Sequence, residues 1–237
     1  MVEASTQNRN AGSKLGAVIV AAGTGRRMGG VNKLFASLRG KPVLAWSVDA
    51  CHGCDLVQQI VLVLSDNDLA RGRKLRRQRD WAKVTLCPGG VQRQDSVNEG
   101  LGRLKDCDWV MIHDGARPFL TPDLIEDGLK IAGETGAAVA AVPVKDTVKL
   151  SDSRSLIRET LERERLWAAQ TPQIFRFDII SRAYGNLTTE VSDDSAAVEQ
   201  LGFKVKLYMG DHQNIKITTP EDLKLAHIIA REWKQKN

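Results

Sequence analysis

An apolar run that breaks into a glycine- and cation-rich loop constrains this chain more than any other stretch. Ala17-Val18-Ile19-Val20-Ala21-Ala22 carries no charge and no polar alternation. Such a run predicts a strand buried on both faces of a parallel sheet. It passes directly into Gly23-Thr24-Gly25-Arg26-Arg27-Met28-Gly29-Gly30-Val31-Asn32-Lys33. Glycines let backbone N–H groups turn inward and approach a phosphate closely. Arginine adds a fork of donors that keeps its charge, and lysine adds a compact point charge. A turn that only joins a strand to a helix needs one or two glycines, whereas this one has four with three cations. These are the parts needed to hold a polyphosphate and to stabilise charge as a P–O bond breaks.

The spacing excludes two common phosphate loops. Gly-x-x-x-x-Gly-Lys-Ser/Thr is absent, so this is not a Walker P-loop. Gly23-Thr24-Gly25 is followed by Arg26, Arg27 and Met28, so the third glycine of a dinucleotide fingerprint is missing.

The chain has 237 residues, enough for one α/β domain with a substantial core. No run approaches the roughly 18 apolar residues of a membrane span. Residues 1–14 are polar and lack the apolar segment of a secretory signal, so they predict a disordered leader ahead of a single domain over residues 15–237. The net charge of +5 sits largely in Arg71-Gly72-Arg73-Lys74-Leu75-Arg76-Arg77-Gln78-Arg79. No aromatics are interleaved there and no binding module is recognisable, so a solvated helix face is expected and nucleic acid is not. Cys51 and Cys54 have C-x-x-C spacing, but no second pair follows. Free thiols in a reducing cytosol are expected.

Successive β and α patterns predict a Rossmann-like, doubly wound α/β fold with a mainly parallel sheet. A helix is expected from Lys41 to His52, with Pro42 in its first turn. Strands are expected over Gln59–Ser65, Trp81–Cys87, Asp108–His113 and Gly136–Val144, with short ones over Lys204–Met209 and Asn214–Ile217. Helices are expected over residues 66–80, 94–104 and 178–186. Thr121-Pro122 and Thr219-Pro220-Glu221-Asp222 read as helix caps. Val148–Leu150 and Leu156–Leu161, joined by a polar turn, predict a hairpin with too little apolar surface to stand alone.

Several residues mark a site. Gly89, Gly90 and Ser96 sit at a second strand-to-helix junction; a nucleotide contact and a simple helix cap fit them equally. Asp114, at the end of the Trp109-Val110-Met111-Ile112-His113 strand, can hold Mg²⁺ or a ribose hydroxyl, and Arg117 beside it can reach a phosphate.

Four blocks carry a resemblance that covers nearly the whole chain. Ala21-Ala22-Gly23-x-Gly25-x-Arg27-Met28-Gly29, with Lys33 after it, resembles the loop of sugar-nucleotide and sugar-alcohol nucleotidylyltransferases. His113-Asp114-Gly115-Ala116-Arg117-Pro118, Gln170-Thr171-Pro172-Gln173 and Asn214-Ile215-Lys216-Ile217-Thr218-Thr219-Pro220-Glu221-Asp222 narrow it. Together they resemble the 2-C-methyl-D-erythritol 4-phosphate cytidylyltransferases of the non-mevalonate isoprenoid pathway. Asn32 departs from that pattern, because many members have proline before the lysine. Val91 also departs, standing where some members carry an acid.

The resemblance implies a cytoplasmic homodimer that transfers CMP from CTP to methylerythritol phosphate with Mg²⁺. It implies that Arg27 and Lys33 hold the triphosphate and that Lys216 orients the substrate phosphate. Arg163 of the partner subunit would join Lys216, delivered by a hairpin arm over residues 146–163; Arg165 is the alternative register. Ala21, Ala22, Gly23, Thr24, Gly25, Gly89, Gly90, Ser96, Asp114 and Gly115 would line the nucleotide. Arg117, Thr147, Thr171, Ser192 and Asp193 would line the sugar alcohol, although Ser192 and Asp193 also fit a helix cap. Asp114, with Asp211 as second candidate, would meet the metal. A cytidylyltransferase for another polyol phosphate, such as ribitol 5-phosphate, is the alternative.

Overall fold

The computed structural model describes residues 12–23 and 32–233. Its core is built around β1 (Leu15–Ala21), the expected buried strand. β1 pairs in parallel with β4 (Val57–Leu64) on one side and with β6 (Trp109–Asp114) on the other. β5 (Val84–Pro88) continues the parallel set beyond β4. On the far side of β6 lies β10 (Trp167–Arg176), antiparallel both to β6 and to β7 (Ala137–Pro143). β11 (Lys206–Met209) closes that edge, parallel to β7. Among the described residues the seven-stranded order is β11-β7-β10-β6-β1-β4-β5.

Both faces of this sheet are covered, which explains why its strands are continuous apolar runs rather than alternating ones. Ala17, Ile19 and Ala21 of β1, with Ile60, Leu62 and Leu64 of β4, face one core. α1 (Val43–Gly53), α2 (Leu69–Gln78) and α4 (Pro122–Thr135) pack there. Val18, Val61 and Val63 face the other, against α3 (Arg93–Leu101), α5 (Phe177–Gly185) and α6 (Asp194–Gln200). Each such valine, leucine or isoleucine, fully buried, contributes roughly 1.5–3 kcal/mol. α7 (Pro220–Glu232) packs in a third cluster with Leu38, Val43 and Phe119.

The cap signals act where expected. Thr121 Oγ1 accepts from Leu124 N with Pro122 opening α4, and Thr219 and Asp222 form the capping box of α7. The hairpin is present as β8 (Lys149–Ser151) and β9 (Ile157–Thr160), a separate two-stranded sheet. Leu150, Leu156 and Ile157 on it are exposed.

Three expectations are corrected and one strand was missed. Pro42 does not open the helix: β3 (Lys41–Pro42) pairs with β2 (Ser37–Leu38), and Pro42 precedes α1 as its cap residue. Trp81 lies ahead of β5, buried in a loop with its indole N–H donating to Asp49. Asn214–Ile217 is not a strand; it lies along the loop after β6, with Ile217 N donating to Ala116 O. β10 was not foreseen at all, because Gln170, Thr171, Pro172 and Gln173 interrupt its apolar pattern and proline argues against a central strand. The register shifts between Ala169 and Gln173, and the polar side chains are buried with partners.

Of the expected leader, residues 1–11 lie outside the described residues. Lys14 is held at the sheet, donating from its N–H to Asp108 Oδ2 and accepting from Asp108 and Trp109.

Candidate active site

Three turns meet at the carboxyl ends of β1, β5 and β6, where open α/β sheets bind ligands. Val20 pairs with Asp114, and Gly115 N donates to Val20 O at 2.9 Å. A Cβ on Gly115 would sit 3.1 Å from Ala21 Cβ and 2.9 Å from Leu44 Cδ1. A Cβ on Gly89 would sit 2.4 Å from Ala22 Cβ and 2.7 Å from Ser96 Oγ. Only glycine lets these turns approach so closely. Ala21, Ala22, Gly23, Gly89, Gly90, Ser96, Asp114 and Gly115 are thereby brought together. Thr24, Gly25 and Arg27 lie outside the described residues.

Asp114 is the electrostatic centre. Its side chain is 9% exposed, yet three cations surround it. Lys216 Nζ lies 2.8 Å from Oδ2, Arg93 Nε 3.5 Å from Oδ1, and Arg117 Nε 3.6 Å from Oδ2. Burial alone would raise the carboxyl pKa, but the Lys216, Arg93 and Arg117 charges override it and hold it well below the usual carboxylate range. Asp114 is therefore an anion throughout the physiological range.

A hydrogen-bond chain fixes the Asp114 backbone from behind. His113 is fully buried, and burial is the largest cause pushing its pKa down to about 4, so the ring is neutral. Its Nε2 lies 3.1 Å from Arg117 O, a carbonyl that can only accept, so Nε2 carries the proton. Nδ1 is then the acceptor of the Thr171 hydroxyl proton at 3.0 Å. The same Thr171 oxygen accepts from Asp114 N at 3.0 Å. Thr171, expected at the sugar alcohol, is thus a 4%-exposed support beneath Asp114, with its one proton already committed.

Arg117 is similarly committed. Nη1 donates to Asn214 O at 2.8 Å, which ties the loop after β6 to the segment carrying Lys216. Burial lowers its pKa against the opposing effect of Asp114. Asn214 donates to the carbonyl of Thr171 and to Gln170 Oε1, locking that segment to β10.

Ser96 also serves its turn. Its hydroxyl accepts from Gly90 N at 3.2 Å and donates to Gln92 O at 3.1 Å, so from inside α3, whose cap residue is Gln92, it holds the turn. Asp193 caps α6: Oδ1 accepts from Ala196 N and Ser195 Oγ, and Oδ2 from Gln173 Nε2. Ser192 and Thr147 are exposed. Arg163 stands on an exposed 3₁₀ turn at the foot of the hairpin, donating to Lys145 O and near Glu164. Arg165 in the same turn faces Glu162. Neither is brought to Asp114 within the chain.

The described residues do not form a side-chain cage for a metal ion. The expected metal ligand Asp114 is engaged by three cations, which oppose a further one. Asp211 is exposed and its Oδ1 accepts from Gln213 N in a local turn. Among the described residues no three His, Cys, Asp or Glu side chains cluster as a metal site. In this structure Asp114 anchors Lys216, and Asp211 shapes a turn.

One buried pair was missed by sequence reasoning. Arg93, at the start of α3, makes a bidentate pair with Asp194 at 2.9 and 2.7 Å. Asp194 has no exposure and also accepts from Tyr184 OH at 2.6 Å. Arg93 is stabilised in its charged form by Asp194, against burial, and it spans from Asp194 to Asp114. The only signal was Arg93 itself in Gly89-Gly90-x-x-Arg93-x-x-Ser96; Asp194 reads as one more acid at a helix start.

Comparison with known proteins places the chain in a family. A family model described as 2-C-methyl-D-erythritol 4-phosphate cytidylyltransferase matches residues 15–232. The enzyme of that name from Dehalococcoides mccartyi is 50% identical over 220 residues, 92% of this chain and 97% of its own. The one from Caldanaerobacter subterraneus is 43% identical over 223 residues, 91% and 98% of the two chains. The crystal structure of 4-diphosphocytidyl-2C-methyl-D-erythritol synthase from Anaerococcus prevotii superposes with a TM-score of 0.85 at 29% identity, covering 93% of this chain and 97% of that one. The chain belongs to the 2-C-methyl-D-erythritol 4-phosphate cytidylyltransferase family.

Proposed function

We propose that this chain transfers CMP from CTP to 2-C-methyl-D-erythritol 4-phosphate, releasing pyrophosphate and 4-diphosphocytidyl-2-C-methyl-D-erythritol. The observation that carries the reading is the Lys216–Asp114 contact beside the end of β1. It puts a lysine from the far end of the chain next to the glycine turns. Lys216 is 38% exposed while Asp114 is buried, so the ammonium is held from below and open to solvent above.

A substrate phosphate oxygen attacks the α-phosphorus of CTP in line; the bond to the β-phosphate oxygen breaks and pyrophosphate leaves. A phosphate monoester is already anionic near neutral pH, so no strong general base is needed. Positioning and cations against the transition-state charge are what the reaction needs. Lys216 orients the attacking phosphate, joined by Arg163 of the partner subunit. Arg27 and Lys33 stabilise the triphosphate and the leaving group. Asp114 accepts from a ribose hydroxyl while holding Lys216. Mg²⁺, if bound with CTP, would supply charge neutralisation on the triphosphate, with Asp114 and then Asp211 the candidate carboxylates.

The exposed apolar residues of the β8–β9 hairpin support the dimer: an isolated two-stranded ribbon needs a covering surface. No helix among the described residues is long and apolar enough to cross a membrane. A pyrophosphate-release assay with purified protein, CTP and either methylerythritol phosphate or ribitol 5-phosphate tests the reading. Turnover with the first alone is expected; turnover only with the second would replace it.

A further inference from the structure

The 3₁₀ turn Lys33–Phe35 is clasped to the start of α2 at two points. Asn32 Nδ2 donates to both carboxylate oxygens of Asp68, at 3.0 and 2.8 Å. Asn32 Oδ1 accepts from Leu34 N at 3.2 Å, so the same side chain also caps the turn. Asp68 is in turn held by Ser65 Oγ at 2.8 Å. Arg71, one helical turn on, lies 3.5 Å from Asp68 and stacks over the Phe35 ring at 3.7 Å from its centroid. Leu34 is buried in the core beneath.

Lys33 is therefore bracketed. Asn32 before it and Phe35 after it are each tied to the connection between β4 and α2, and Leu34 is pinned below. Such a bracket restricts where the Lys33 backbone can sit, and hence the volume its ammonium samples. A lysine has four rotatable side-chain bonds, so anchoring its backbone is the chief means of aiming its charge.

We propose that Asn32 and Asp68 form a clasp that positions Lys33 for the triphosphate of CTP. The inference rests on Lys33 being a phosphate-facing cation. Asn32 has φ −73°, a value a proline ring imposes by covalent means, with ψ 98°. The Asn32–Asp68 hydrogen bonds and a proline at position 32 are thus two routes to one restraint.

The test is a mutant cycle in the full-length protein, read as kcat and KM by pyrophosphate release, with Tm measured for each variant. Asn32→Ala and Asp68→Ala are each expected to lower kcat roughly 10- to 100-fold, the size of effect produced by misplacing a catalytic group. KM for methylerythritol phosphate should move much less. The double variant should be no worse than the poorer single, because both remove one clasp. Asp68→Asn keeps an acceptor for Asn32 and should recover most of the loss. In an Asn32→Pro background, Asp68→Ala should cost less than roughly twofold relative to Asn32→Pro alone.

Lys33→Ala is run alongside. If it loses turnover while Asp68→Ala and Asn32→Ala keep theirs, the clasp is wrong and the role of Lys33 stands. Unchanged turnover in Lys33→Ala overturns the role of Lys33 and the clasp with it. Strictly multiplicative losses, or an Asp68→Ala loss undiminished in the Asn32→Pro background, also overturn the clasp. If Asp68→Ala does not fold, Asn32→Ala decides: a loss in kcat that Asn32→Pro restores supports the clasp, and unchanged turnover in Asn32→Ala overturns it.

Discussion

Lys216 Nζ lies 2.8 Å from Asp114 Oδ2, joining a segment just before the last helix to the end of β6. The contact brings Lys216 to the carboxylate that Arg93 and Arg117 also face. Lys216→Ala is expected to lower turnover by roughly 10²-fold and to weaken methylerythritol phosphate more than CTP. Steady-state kinetics with each substrate varied would check it, and equal weakening of both would remove Lys216 from the attacking phosphate.

Lys33→Ala and Arg27→Ala should act differently, on kcat far more than on either KM. Losing a donor that stabilises transition-state charge costs roughly 10²–10³-fold. Single-turnover measurements at saturating CTP would separate this from weakened binding.

Asp194→Asn should weaken CTP binding without touching the nucleotide. It leaves Arg93 without the carboxylate that holds it in a bidentate grip, and Arg93 in turn reaches Asp114. Because Asp194 is fully buried while Arg93 is 30% exposed, a stability loss of about 3 kcal/mol is expected, the low end for a broken buried pair. Arg93→Lys should fail as well, since a point charge cannot reproduce the fork. Titration calorimetry with CTP, beside urea unfolding, gives both quantities.

His113 should impose an acid limit on stability. Its pKa is pushed down to about 4 from an ordinary 6.5, chiefly by burial. The unfolded chain then takes up a proton near pH 6.5 that the folded chain refuses until about pH 4. The contribution is complete above the unfolded value and is lost as pH falls through that window, by roughly 3 kcal/mol in all. His113→Gln keeps a donor and an acceptor without titrating. Its urea midpoint should fall less steeply between those two pH values than that of the parent chain; parallel curves would exclude His113 as the source.

The arm is tested by mixing. Arg163→Ala and Lys216→Ala chains should each be nearly inactive alone. Refolded together, they should regain activity, because one of the two sites in a mixed dimer then has Arg163 from one chain and Lys216 from the other. Ile157→Asp, placing charge on an exposed apolar position of the hairpin, should shift sedimentation towards monomer.

Much of the architecture was legible from short-range patterns. The runs at β1, β4 and β6 read as strands covered on both faces, and the Thr121 and Thr219 caps read as helix starts, because periodicity and capping involve residues a few positions apart. The four blocks likewise pointed to the residues that gather at the sheet's carboxyl end. What the chain's order could not reveal is what those residues are occupied with. Gln170 to Gln173 look like a loop, and become a central strand only because Asp211, Asp193 and Asn214 supply partners from elsewhere. Thr171 looks like a substrate contact until His113 and Asp114 are seen to use its hydroxyl. Arg93 and Asp194 are 101 residues apart, and their pairing exists only because α3 and α6 share one face of the sheet. Local sequence sets which element forms and which groups it carries. The topology of the sheet decides which charges meet, because Coulomb and hydrogen-bond energies depend on distance in space and not along the chain.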